Sequence, residues 1–277
     1  MINGRTELIA HLGHPTETFT APMIYNPWFA SRGINAVVVP MGVRPEDYAT
    51  FLRPLFRLSN IRGALVTMPH KIATVGLLDE AALAVQVAGS CNAILRRPDG
   101  SLYGELFDGI GFVRGAKRKG FDFTGAACLI IGAGGVGSAI AAAIAAEGPG
   151  LIGLFDIHAA AAQGLAARLR RHFPGLTVGL RDNDPAGYRL VVNATPLGMA
   201  ADDPLPFDPT RLGADTFVGD VVLTAELSPL LQAAARRSCG YQVGTDMLFE
   251  QIPAYLEFFG YGSATPDELR AVSQISY

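Results

Sequence analysis

Four glycines break the apolar run LIIGAGGVGSAI at residues 129–140. Gly132, Gly134 and Gly137 have the spacing Gly-x-Gly-x-x-Gly, with Ala133, Gly135 and Val136 between them. The residues before them read as a buried strand and the alanine-rich residues after them as a helix. In that setting the spacing has a chemical meaning. The first glycine permits a tight turn, the second lets backbone approach a pyrophosphate, and the third lets the helix pack on the strand. The N–H groups that open the helix, at the positive end of its dipole, then face the phosphates. A glycine-rich packing turn is the structural alternative. Asp156 ends the apolar run LIGLFD, 156 − 132 = 24 positions past the first glycine. That is near the roughly 20 expected of an acid that binds ribose hydroxyls. A carboxylate there repels a 2′-phosphate, and Ile157 and His158 offer no arginine to hold one. The expected cofactor is therefore NAD in preference to NADP. Asp156 could equally cap the helix that follows it.

Elements to position such a turn can be read on both sides of it. TELIAHLG, INAVVVPMG and RGALVTMP are aliphatic and β-branched and read as buried strands. Between them, APMIYNPWFASRG and RPEDYATFLRPLFRLSN have helical spacing, with prolines near their starts. This βαβαβ rhythm predicts parallel strands with helices on the faces. CNAILRRPDGSLYGEL predicts a hairpin around Pro98-Asp99-Gly100. DGIGFVRGAKRKGFDFTG predicts a helix leading into a second unit, with Arg114, Lys117, Arg118 and Lys119 as its solvated end. A second βαβ series starts at Ala126. RLVVNATPLGM and TFVGDVVL add strands, and TDMLFEQIPAYLEFFG predicts a helix with an aromatic side.

The totals exclude several function classes. Of 277 residues, 49% are hydrophobic and 17% charged, which suits a large core and not a disordered chain. The net charge of −3, with no basic stripe, speaks against nucleic acid as a partner. No stretch reaches the roughly 18 apolar residues of a membrane span, and the start has no signal-peptide pattern. Cys91, Cys128 and Cys239 are scattered and fit no disulfide framework, so a reducing cytoplasm is the expected compartment. His11, His14, His158 and His172 show no metal-ligand spacing. His70 reads as a packing or surface residue.

VTMPHK (66–71), GSCNAI (89–94), GELFDGIGF (104–112), IIGAGGVGSAI, VNATPLGM (192–199) and MLFEQ (247–251) occur in the order seen in shikimate dehydrogenases. The chain resembles that family over nearly its whole length. The resemblance implies an α/β fold of two domains, an N-terminal α/β substrate domain and a Rossmann NAD(P)-binding domain, with a C-terminal helix returning to the first. The expected bounds are 1–108 for the substrate domain, 109–245 for the dinucleotide domain and 246–277 for the returning helices. It also implies NAD(P)-dependent reversible oxidation of a ring secondary alcohol, of the shikimate or quinate kind, by a catalytic pair that falls on Lys71 and Asp108. Such a reaction needs a base for the hydroxyl proton, and a lysine oriented by a carboxylate can serve. A surface lysine and a capping aspartate are the plainer alternative. The resemblance places Thr67, Asn92 and Gln251 at the substrate hydroxyls. It places Gly219 and Met247 near the nicotinamide, and Asn193, Thr195 and Pro196 in the loop beside the cofactor. The implied partner is a small-molecule substrate, and the chain is expected to be a monomer or homodimer.

Departures from the family pattern gather in the substrate site. Phe19 and Ala21 stand where the family usually has two carboxylate-binding serines, leaving Thr18 and Thr20 as nearby hydroxyls. Leu106-Phe107-Asp108 replaces the usual Asn-Thr-Asp, and Leu223 replaces a tyrosine. Each hydrogen bond lost to a charge is worth about 1.5–3 kcal/mol. The expectation is altered recognition at the acid end of the substrate. Folate-linked or amino-acid-like dehydrogenases on the same two-domain plan, and a non-catalytic NAD-binding protein, are the rival readings.

Overall fold

A computed structural model describes residues 2–200, 202–223 and 227–275. The chain divides into two compact units. One comprises the residues up to Phe107 together with those from Ile252 onward, and the other runs from Asp108 to Gln251.

In the first unit the elements are β1 (Glu7–Gly13), α1 (Pro22–Ser31), β2 (Ala36–Gly42), α2 (Pro45–Leu55), β3 (Ile61–Val66), α3 (Lys71–Val75), β4 (Glu80–Ala81), α4 (Leu83–Ala88), β5 (Ala93–Arg96) and β6 (Leu102–Glu105). Their sheet has the order β2-β1-β3-β5-β6-β4. β1 is parallel to both β2 and β3, as βαβ connections require. β5 and β6 form the antiparallel hairpin that Pro98-Asp99-Gly100 signals, and Gly100 turns with φ +88°. α1 and α2 both open on a proline, whose missing N–H costs nothing at that position.

The second unit holds α5 (Asp108–Arg118), β7 (Ala127–Ile131), α6 (Gly135–Ala145), β8 (Leu151–Phe155), α7 (Ala159–His172), β9 (Thr177–Leu180), β10 (Leu190–Asn193), β11 (Phe217–Asp220), α8 (Pro229–Arg236) and β12 (Gly240–Gln242). α9 (Gly244–Phe259) starts in this unit and contains the second boundary. α10 (Pro266–Val272) belongs to the first unit. All strands of the second sheet are parallel, in the order β12-β11-β10-β7-β8-β9. From β7 the chain winds outward through β8 and β9. It then returns to β10 on the other side of β7 and winds outward again. That is the doubly wound dinucleotide-binding order, whose switch point lies between β7 and β10.

The core of the second unit is the near-continuous apolar content of its central strands. Cys128, Leu129, Ile130, Val191, Val192 and Val218 are all fully buried, as expected when helices cover both faces. The basic end of α5 is tied down by ion pairs. Arg118 meets Glu250 at 3.1 Å and Lys119 meets Asp246 at 2.7 Å. In the first unit, residues of α9 join the aromatic core. Phe107 packs against Tyr255 and Phe258 with ring centroids 4.7 and 5.4 Å apart, and Tyr25 meets Tyr255 edge-on. Thr265 and Glu268 form a capping box at the start of α10. Among the described residues no helix is long and apolar enough to cross a membrane.

Candidate functional site

The glycine turn sits at the C-terminal end of β7, at the switch point. Gly132 has φ +101°, and a Cβ on it would lie 2.7 Å from the carbonyl oxygen of Ala194. A Cβ on Gly137 would collide with the Gly132 carbonyl. Both glycines are therefore demanded by packing alone. Gly134 is different. Nothing of the protein lies within 4 Å of where its Cβ would be. It is also the N-cap of α6, a position at which glycine has no side chain to offer the first turn. A helix start that opens on a glycine with free space beside it is suited to a phosphate. The turn thus fits the dinucleotide the spacing implies, with Ala133, Gly135 and Val136 completing the loop around it.

Asp156 follows the end of β8. Its Oδ2 accepts from the Ala133 N–H at 2.7 Å and its Oδ1 from the His158 N–H at 2.7 Å. One carboxylate braces the glycine turn and also the entry to α7. Across the switch point, Asn193 is fully buried at the end of β10. Its Nδ2 donates to Leu197 O and to Asp220 Oδ1 at 3.0 and 3.1 Å, and its Oδ1 accepts from the N–H and hydroxyl of Thr195. The side chain holds the shape of the loop through Pro196. Asp220 also accepts from Ser228 Oγ and from the Val222 N–H, and burial raises its pKa. Gly219 faces the ring of Phe112, where a Cβ would be 2.5 Å away. Met247 and Gln251 lie on α9 against Gly111 of α5. The Gln251 Oε1 is buried with no hydrogen-bond partner. Asp108 opens α5 and is 5% exposed.

In the first unit the candidates gather at the C-terminal ends of β1 and β3. Thr67 follows β3 and donates its N–H to Leu12 O. Lys71 is the first residue of α3, and its carbonyl accepts the Cys91 N–H at 2.9 Å. The next residue, Asn92, is 1% exposed. Its Oδ1 accepts the Phe107 N–H at 3.0 Å, while its Nδ2 is buried without a partner. His70 is structural: its ring stacks on Tyr48 at 4.0 Å and its Nε2 bonds Val43 O at 2.8 Å. Thr20 and Ala21 lead into α1, and Thr18 is exposed. Leu106 and Phe107 turn into the core, and Leu223 is exposed.

One residue that motif reading passes over belongs with this group. His11 is buried, and its ring stacks on Phe19 with centroids 4.1 Å apart. Burial, and after it the nearby charge of Lys71, push its pKa down to about 4. The available signal is positional. His11 stands two residues before Gly13 on a strand whose alternate residues share a face.

Residues 12–94 match the family model of the shikimate dehydrogenase substrate binding domain. A shikimate dehydrogenase (NADP(+)) of Salinibacter ruber is 36% identical, covering 98% of this chain and 99% of its own. Another of that name from Rubrobacter xylanophilus is also 36% identical, over 85% and 84%. The solved shikimate 5-dehydrogenase of Thermus thermophilus, in complex with NADP(H) and shikimate, superposes with a TM-score of 0.85 at 25% identity, covering 96% of this chain and 98% of that one. These names overturn the expectation of NAD in preference to NADP. The physical reason is visible at Asp156. Its count from Gly132 cannot distinguish an acid that meets a ribose from one that braces the turn, and here both oxygens accept backbone N–H groups.

Proposed function

The chain belongs to the shikimate dehydrogenase family, and from that premise we propose that it is an oxidoreductase that interconverts a ring secondary alcohol and its ketone using NADP(H). The observation that carries this reading is the open side of Gly134, the N-cap of α6, at the switch point of a doubly wound sheet. Gly132 to Gly137 would hold the pyrophosphate, and the Asn193–Pro196 loop would border the cofactor. When bound, the nicotinamide supplies the acceptor or donor of the hydride. Lys71 takes the hydroxyl proton during oxidation and returns it to the carbonyl oxygen during reduction, and Asp108 is the second member of the acid–base pair that the family resemblance implies. Thr67, Asn92 and Gln251 bind the neighbouring hydroxyls. Asn92 Nδ2 and Gln251 Oε1, a buried donor and a buried acceptor without protein partners, are suited to a polyol. Residues 12–94 form the substrate side.

The test follows the absorbance of the reduced nicotinamide while the purified protein is offered NADP+ and ring alcohols, shikimate and quinate among them, and NADPH with the corresponding ketones. Turnover that vanishes in Lys71→Ala supports the assignment. Turnover retained by that variant removes Lys71 from the chemistry, and no turnover of any ring alcohol or ketone ends the reading.

A further inference from the structure

The surroundings of His11 define a wall in the first unit with a distinct chemistry. His11 and Gly13 share a face of β1, and His11 pairs in register with Leu65 of β3. A Cβ on Gly13 would lie 2.6 Å from Phe19 Cζ and 2.5 Å from Thr67 Cγ2. Glycine therefore lets the Phe19 ring lie across the strand end and reach the neighbourhood of Thr67. Phe19 in turn covers one face of the His11 imidazole. His11 is 8% exposed, and its Nδ1 is buried with no hydrogen-bond partner. A polar atom in that state is costly unless something fills its place. Asn92 Nδ2, on the same unit, is in the same condition.

Neither of these unpartnered groups carries charge. The imidazole is neutral at physiological pH, and an amide has none. The charge that acts on His11 is that of Lys71, which the proposed reaction engages at the alcohol. An anionic group set against Phe19 would lose water and meet the negative face or apolar edge of a ring. A hydroxyl suits the wall, because it satisfies Nδ1 in either tautomer.

We propose that the stacked pair His11–Phe19 is a specificity element that selects substrates presenting an uncharged, hydroxyl-bearing group at this wall, so that neutral ring polyols and their ketones are preferred to ring carboxylates. The inference rests on the reading of the chain as a ring-alcohol oxidoreductase and narrows its substrate class. His11 Nδ1 hydrogen-bonds the hydroxyl and Phe19 packs on ring carbons.

Two compounds separate the possibilities: shikimate, and the same ring with a hydroxymethyl group in place of the carboxylate. With NADP+, the wild type is expected to show a kcat/KM at least about tenfold higher for the neutral compound, the ratio worth one lost hydrogen bond. His11→Leu raises KM for the neutral compound about tenfold, with a smaller change in kcat, and His11→Asn restores part of it. Phe19→Ser narrows the ratio by raising kcat/KM for shikimate. Equal or better use of shikimate by the wild type overturns the proposal, as does a His11→Leu variant with unchanged KM for the neutral compound. If neither compound is turned over, calorimetric binding decides this proposal, while the oxidoreductase reading stands or falls on the wider set of ring alcohols and ketones. Tighter binding of the neutral compound upholds the role of the pair, and equal or tighter binding of shikimate removes it.

Discussion

Replacing Asp156 by asparagine tests whether this residue works as a brace. Its two oxygens accept the Ala133 and His158 N–H groups, both at 2.7 Å. An asparagine can offer its single amide oxygen to one of them and must then turn its NH2 toward the other. The variant loses one charge-assisted hydrogen bond and leaves a donor facing a donor. Hydrogen bonds to charged groups are worth about 1.5–3 kcal/mol. Asp156 is half-buried, and water can relieve part of the loss, so about 2 kcal/mol is expected. In a unit of this size that lowers Tm by roughly 4–8 °C, readable by far-UV circular dichroism. The single tryptophan, Trp28, lies in the first unit, so its fluorescence follows that unit separately. Because the same bonds hold the turn, calorimetry should show NADP+ and NAD+ weakened in parallel, by about tenfold. An unchanged Tm, with the two dinucleotides moved in opposite directions, would refute the brace. The carboxylate would then be acting by its charge on the ribose end.

Three further outcomes are expected. Lys71→Ala should lower kcat by about a hundredfold to ten-thousandfold while leaving NADP+ affinity intact, because the turn belongs to the other unit; steady-state kinetics with calorimetry measures both. His11 binds a proton less readily folded, at about 4, than unfolded, at 6.5. The unfolded state therefore takes up more protons between those values, and stability is lost as pH falls through that window, by about 3 kcal/mol in all. Urea unfolding across the window should show this slope, and His11→Leu should flatten it. Asn193→Ala strands the Thr195 N–H and removes donors from Leu197 O and the buried Asp220. It should cost about 3 kcal/mol, seen as a lower urea midpoint by circular dichroism with little change in Trp28 fluorescence.

The glycine turn, the strands and helix around it, and the hairpin at Pro98-Asp99-Gly100 were legible because each is local, with cause and consequence a few residues apart. β4 and β12 were not. They have two and three residues, too few to show alternation, and exist because a neighbouring strand offers hydrogen bonds. Motif order named the residues that could do chemistry but not what each already holds. Asn193 is saturated by its own loop and by Asp220 at the end of β11, whereas Asn92 keeps an amide hydrogen-bond donor in reserve. Asp156 shows the same limit more sharply, since its partner Ala133 lies 23 residues away in sequence. His11 carries no motif at all, and its significance depends on a ring eight positions along the chain folding back over it.

The chain visits the first unit, leaves it at Phe107 and comes back at Ile252. On the ribosome this reverses the usual order of maturation, in which what is made first is finished first. A nascent chain arrested near residue 251 holds every residue of the younger unit. The older one still lacks Tyr255, Phe258 and Phe259, so Phe107 has no ring to pack against and Gly63 no ring above it. Until the last segment emerges, a partly built aromatic core must wait exposed for its closing piece. Protection during synthesis is therefore most needed by the part of the molecule that was translated earliest.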